Sequence, residues 1–241
     1  MGKVFRYELH RLVYSKIFLG LLIVLSAYGW QMLSTETILG VAHTAPFSPW
    51  SFGCYLTQLL PLLSLSLLFF LWDISSGKAK RVEILSSATP VEPGKLMAVK
   101  GLAVAAAWGL LALVVAGMGI AFLLYLFKGA VPVWQLLGAA ALALLPPLIF
   151  LLGAGLLAGR KNAALVLILV PAAALLALLP LPAFAQLFPT GFFSEYPLTL
   201  GLDPALRVSA GFLLGRAAYT AIGLGLAICA TKTKAENHGR P

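Results

Sequence analysis

Residues 73–100 read DISSGKAKRVEILSSATPVEPGKLMAVK and form the one long polar stretch between two hydrophobic runs of membrane-spanning length. A segment with this much charge must lie in water or against another protein. The hydroxyl of Ser75 or Ser76 can accept hydrogen bonds from the first free N–H groups of a helix, and Pro90 blocks that helix from continuing. The stretch therefore predicts a short helix outside the bilayer, with an apolar stripe on one side and charges on the other.

Composition predicts a membrane protein around this stretch. Of the 241 residues, 61% are hydrophobic and only 10% are charged, whereas about half of the residues in soluble domains are apolar. A chain of this length accommodates about six helices of roughly 20 residues with short loops. We therefore expect residues 1–241 to form a single all-α integral membrane domain.

Apolar runs divide the chain into spans, an N-terminal helix and a proline-rich region. Residues 1–16 place apolar side chains at positions 5, 9, 12 and 13 on one face, which is typical of a helix lying flat at the cytoplasmic interface. Residues 183–207 are interrupted by prolines and predict short re-entrant helices on the outer side. The six predicted spans are residues 17–33, 52–72, 101–127, 134–157, 163–181 and 208–230.

The basic residues predict the orientation of these spans. All but three of the 17 lysines and arginines fall in segments that this topology assigns to the cytoplasm, the exceptions being Lys128, Arg207 and Arg216. Because Lys and Arg collect on the cytoplasmic side, both termini and residues 73–100 are expected inside the cell membrane. The net charge of +9 is then explained by the lipid bilayer and not by nucleic acid.

The polar stretch also carries a sequence pattern. Glu83-x-Leu85 is followed by Thr89-Pro90-Val91 and, ten residues after the proline, by Lys100. This pattern resembles ABC type-2 permeases, the membrane subunits of ATP-binding-cassette exporters. The resemblance implies that residues 73–100 contain a coupling helix that sits in a groove of a separate ATPase subunit. The residues that it assigns to ATPase coupling are Val82, Glu83, Leu85, Pro90 and Lys100.

The same resemblance implies the partners and the cofactors. ATP and Mg²⁺ are expected in the ATPase partner, with no cofactor bound directly by this chain, which has no Gly-x-x-x-x-Gly-Lys-Ser/Thr motif. A second permease copy or a paralogous permease in a bacterial inner membrane would supply the other half of the translocation pathway. The chain is therefore not expected to be an enzyme by itself.

Other interpretations of the sequence stay open. Residues 73–100 are also typical of a basic loop that only sets topology. For the whole chain, the alternative is a secondary transporter or another polytopic membrane protein without an ATPase partner. Ion-coupled carriers usually hold acidic residues at mid-membrane, and the predicted spans hold none. A membrane-embedded enzyme is the third class, but the spans carry no catalytic constellation.

Arg216 is the only charge placed well inside a predicted span. A cation at the membrane centre costs about 3 kcal/mol, so it requires a polar partner or a route to water. Either the side chain extends to the outer surface, or it pairs with Glu195 or Asp203 and latches an outer gate. Small-residue spacing separately predicts close helix packing, within this chain or against a partner permease. The residues are Gly155 with Gly159, and Gly211 with Gly215 followed by Gly223.

Overall fold

A computed structural model describes residues 1–76, 93–128, 131, 133–179, 181–182, 185–201 and 204–232. These residues form helices and short connections, which confirms the predicted all-helical class for this part of the chain. The helices are α1 Gly2–Val13, α2 Lys16–Thr35, α3 Pro49–Ser75, α4 Pro93–Phe127, α5 Val133–Lys161, α6 Ala163–Leu178, α7 Thr190–Ser194 and α8 Ala210–Lys232. Two 3-10 turns, Thr37–Leu39 and Tyr196–Thr199, complete the regular structure that is described.

Polar caps start several of the apolar helices. Ser15 Oγ accepts a hydrogen bond from Phe18 N at 3.1 Å at the start of α2. Ser48 Oγ accepts one from Ser51 N at 3.2 Å at the start of α3. Such caps supply an acceptor for N–H groups that have no partner within the helix. Because of its cap, α3 begins three residues before the predicted span 52–72.

The helix α3 lies at the centre of the fold. It packs against α2, α4, α5, α6 and α7, and most of its side chains are buried. Two hydrogen bonds cross from α3 to α4. Tyr55 Oη donates to Val115 O at 2.9 Å, and Trp108 Nε1 donates to Leu63 O at 2.8 Å. Since α3 touches nearly every other long helix, a shift of α3 would reach most of the bundle.

Consecutive long helices run antiparallel, so their termini lie at two opposite ends of the bundle. The basic end comprises α1, the start of α2, the end of α3, the start of α4 and the ends of α5 and α8. There, Arg160 Nη1 donates to Ala230 O at 3.1 Å. At the opposite end, Trp50 Nε1 donates to Pro204 O at 2.8 Å, and the rings of Phe47 and Phe127 lie 5.3 Å apart.

Within the described part of the chain, five helices are long and apolar enough to cross a membrane, namely α2, α3, α4, α5 and α8. The predicted span 163–181 instead forms α6, which has 16 residues and is about 24 Å long, against a hydrocarbon thickness of about 30 Å. It ends because Leu179, which precedes a proline, is extended with a ψ of 131°. The six-span count stays a prediction.

Two other predicted segments differ from the structure, one at its boundaries and one in what it packs against. Residues 73–75 continue α3, and residues 93–100 are the first turns of α4, so both ends of the predicted coupling loop are helical. The helix α1 has the predicted amphipathic pattern, but Leu9, Leu12 and Val13 pack into the protein core. Because α1 lies mainly on α4, protein occupies the face that the sequence assigned to the membrane interface.

Candidate functional site

The predicted coupling residues are divided between described and undescribed parts of the chain. Val82, Glu83, Leu85 and Pro90 lie outside the described residues. Lys100 lies in the third turn of α4 and is only 8% exposed. Ser75 is the last residue of α3 and Ser76 follows it as the C-terminal cap. Ser75 therefore does not begin the next helix, because α3 extends further than its apolar run. The alternative that Ser76 caps a helix in the following residues stays a prediction.

A charged cluster at the basic end ties α1 to the last turn of α3. Arg11 Nη2 lies 2.9 Å from Asp73 Oδ2, and Arg11 Nη1 lies 3.4 Å from Glu8 Oε2. Glu8 is buried on the inner face of α1. The sequence analysis did not identify this cluster, although the i, i+3 spacing of Glu8 and Arg11 is a usable signal for an ion pair on a helix. The pair between Arg11 and Asp73 bridges 62 positions, which a local pattern cannot reveal.

Arg216 is buried in α8 and its guanidinium binds backbone carbonyls. Its Nη1 donates to Leu187 O at 3.0 Å, and its Nη2 donates to Gln186 O. The rings of Phe212 and Tyr219 lie 5.0 and 5.3 Å from the guanidinium carbon. These contacts hold the charge inside the protein. The side chain therefore does not extend to the outer surface, which was one of the two interpretations of Arg216 from the sequence.

Of the two predicted partners of Arg216, only Glu195 is among the described residues. Glu195 is exposed, and the ion pairs among the described residues do not include one between it and Arg216. Asp203 lies outside the described residues. Tyr219 instead donates from its hydroxyl to Ala185 O at 2.6 Å. Arg216 and Tyr219 thus clamp residues 185–187 onto α8, and the outer-gate role of Arg216 stays a prediction.

The glycines differ in what surrounds them. A Cβ built on Gly155 would meet Leu71 of α3, and one built on Gly159 would meet Ser75. A Cβ on Gly211 would meet nothing within 4 Å, and Gly215 is half-buried. The first pair therefore faces α3 within this chain, while Gly211 lies on an open part of α8.

The backbones of α5 and α8 approach closely at Gly223, which the small-residue spacing of α8 included, and at Gly153, which the sequence analysis did not identify. A Cβ on Gly153 of α5 would collide with Gly223 O of α8. A Cβ on Gly223 would lie 2.5 Å from Ile149 O. Small residues at helix interfaces in membranes allow this kind of close contact. Gly153 and Gly223 are thus required at the crossing of α5 and α8.

The described residues enclose an apolar cavity of about 550 Å³ between α2, α3 and α6, here called the α3 groove. Its volume lies in the range of about 300–1,000 Å³ that is usual for ligand pockets. Aliphatic side chains form most of its walls, while Tyr28, Gln58 and Ser64 supply polar groups. Gln58 Nε2 also donates to a carboxylate oxygen of Glu36, which follows α2. A single glutamine inside an apolar span is the signal in the sequence that could have pointed to this groove.

The described residues do not bring three or more His, Cys, Asp or Glu side chains together in a geometry that could hold a metal ion. Comparison with protein-family models, with curated proteins and with solved structures finds no match to this chain. The resemblance to ABC type-2 permeases therefore rests on the sequence alone, namely the pattern of residues 83–100, the predicted span count and the predicted N-terminal helix.

Proposed function

We propose that this chain is the membrane-spanning permease subunit of an ATP-driven exporter. It forms half of a translocation pathway, and a separate ATPase subunit supplies the energy. The proposal is supported by five helices of membrane-spanning length and composition, by the α3 groove of about 550 Å³, and by the permease-like pattern from Glu83 to Lys100.

The observation that carries the proposal is the anchoring of the helices on both sides of residues 77–92. Arg11 of α1 pairs with Asp73 in the last turn of α3 at 2.9 Å, while α1 also packs on α4. At the start of α4, a Cβ on Gly94 would lie 2.5 Å from Thr231 O of α8. A force applied to residues 77–92 would therefore act on α1, α3, α4 and α8 together.

This anchoring connects the proposed coupling segment to the groove. The helix α3 carries Asp73 at the basic end and lines the α3 groove with Gln58, Leu65 and Leu68. An ATPase bound at residues 77–92 would thus move a wall of the cavity without any additional linkage. ATP and Mg²⁺ belong to that partner in this proposal, and a second permease would supply the other half of the pathway.

The proposed location is the cell membrane, with both termini in the cytoplasm. Lys128 and Arg207 lie at the opposite end, and Arg216 is buried in α8. The described lysines and arginines of the basic end are Lys3, Arg6, Arg11, Lys16, Lys95, Lys100, Arg160, Lys161 and Lys232. This asymmetry is the one expected of a bundle whose basic end is cytoplasmic.

The test is co-purification of an ATPase with the full chain and export by the complex, with Glu83→Ala compared with Lys78→Ala. Loss of a buried polar contact at an interface typically costs about 2 kcal/mol or more, which is more than tenfold in affinity. We expect Glu83→Ala to weaken ATPase association by at least about tenfold, and Lys78→Ala to leave it near wild type.

Both variants are compared at matched expression, and the captured subunit must hydrolyse ATP. Val82→Asp and Leu85→Asp test the apolar side of the same contact. If all four variants keep the ATPase bound and transport unchanged, residues 73–100 act only as a topology signal. If no ATPase co-purifies with the wild-type chain, the proposal is rejected in favour of a transporter without an ATPase partner.

A further inference from the structure

The α3 groove is elongated along one helix. The α3 residues that line it run from Gln58 at one end to Leu68 at the other. Ten residues of α-helix correspond to about 15 Å. Between these ends, Val24 of α2 and Val170 of α6 contribute aliphatic walls. A groove of this length and volume suits a single extended apolar chain.

The Gln58 end of the groove lies beside a carboxylate. The Gln58 amide donates its N–H to the Glu36 carboxylate, which orients the amide and places a negative charge beside it. Glu36 is exposed and lies outside the groove lining, next to the Gln58 amide. The described residues that line the groove include no lysine or arginine. The Gln58 end therefore has an acceptor and a negative charge beside it, with no basic side chain in the lining.

We infer that the α3 groove binds amphiphiles that carry a cationic head group, with the apolar tail along α3 and the head beside Glu36 and Gln58. This inference rests on the proposed function, for which it names the class of cargo. The Glu36 carboxylate attracts a cationic head group by its opposite charge. The same charge repels an anionic head group, which gives selection between tails of equal length.

The inference is tested with three photoreactive probes that share a twelve-carbon chain and differ in the head group, which is trimethylammonium, sulfate or a neutral sugar. The purified full chain in nanodiscs of zwitterionic lipid is labelled over a range of probe concentrations, and the labelled residues are mapped by mass spectrometry. We expect saturable labelling of groove residues by the cationic probe, at least about tenfold more efficient than labelling by the sulfate probe.

Two pairs of variants give matched controls. Glu36→Gln should reduce the preference for the cationic probe by about tenfold, whereas Glu195→Gln, an exposed carboxylate away from the groove lining, should keep it. Ala174→Trp should block labelling by all three probes, because Ala174 lines the groove. Ala172 lies on an exposed part of α6 outside the lining, so Ala172→Trp should not block labelling. Matched elution on size exclusion establishes that each variant is folded.

Equal labelling by the cationic, neutral and sulfate probes would overturn the inference, as would an unchanged preference in Glu36→Gln. Labelling that maps outside the groove, or that persists in Ala174→Trp, would overturn it as well. The assay contains no ATPase. If this labelling assay fails while an ATPase still co-purifies with the chain in the separate experiment, only the cargo class is rejected. If no ATPase co-purifies, the exporter is rejected.

Discussion

The contact between α5 and α8 leads to a sharp prediction for Gly223→Ala. A Cβ at position 223 would lie 2.5 Å from Ile149 O and 2.6 Å from Phe150 Cα. Ordinary contacts of a Cβ begin at 3.4 Å, so α8 would have to withdraw from Ile149 by about 0.9 Å. Both contacted atoms belong to the main chain, and no change of rotamer relieves the clash. The substitution must therefore separate the two helices or distort one of them.

The size of the effect follows from two opposing terms. Overpacking a close interface costs about 1–3 kcal/mol, while replacing a helical glycine by alanine returns roughly 0.5–1 kcal/mol. The clash is against rigid backbone, which places its cost at the upper part of that range. We expect a net loss of about 1–2 kcal/mol in the free energy of unfolding. For a chain of this size, each kcal/mol lowers Tm by roughly 2–4 °C.

The measurement is thermal unfolding of the full chain in detergent, followed by fluorescence-detected size exclusion. Gly225→Ala is the control, because it makes the same chemical change two positions along α8, where a Cβ meets nothing within 4 Å. We expect Gly225→Ala to be neutral or slightly stabilising. A Gly223→Ala protein as stable as the Gly225→Ala protein would show that the two backbones do not approach this closely.

Two further predictions concern orientation and Arg216. In a cysteine-free background, Leu39→Cys at the opposite end should react with an impermeant thiol reagent in intact cells, whereas Tyr14→Cys at the basic end should not. Both positions are highly exposed in the fold, so a difference in labelling reports the side of the membrane and not burial. The reverse result would invert the proposed topology. Arg216→Leu leaves two carbonyls without their donor and should cost about 2 kcal/mol or more in thermal unfolding, whereas the exposed Arg207→Gln should change stability by less than about 0.5 kcal/mol. Wild-type stability of Arg216→Leu would contradict the clamp.

Much of the helix layout was predictable because each long helix is an uninterrupted apolar run. The predicted span 134–157 corresponds to Val133–Lys161, and 208–230 corresponds to Ala210–Lys232. The predicted helix boundaries were wrong where polar residues or prolines are part of a helix. Pro93 begins α4 because proline is favoured at the first helical position. Conversely, the proline after Leu179 shortened α6 below membrane-spanning length, although its side chains continue the apolar pattern.

The sequence by itself determined the apolar helices, the asymmetry of basic residues and the presence of a lone arginine in α8. Tertiary structure alone decided which side chains meet. Arg216 binds carbonyls of residues 186–187, Gly223 and not Gly211 contacts α5, and Gln58 meets Glu36. The physical reason is that α4, α6 and α8 are apolar nearly all round. Their residue patterns do not specify which face turns inward, so the rotation of each helix is set by packing against its neighbours.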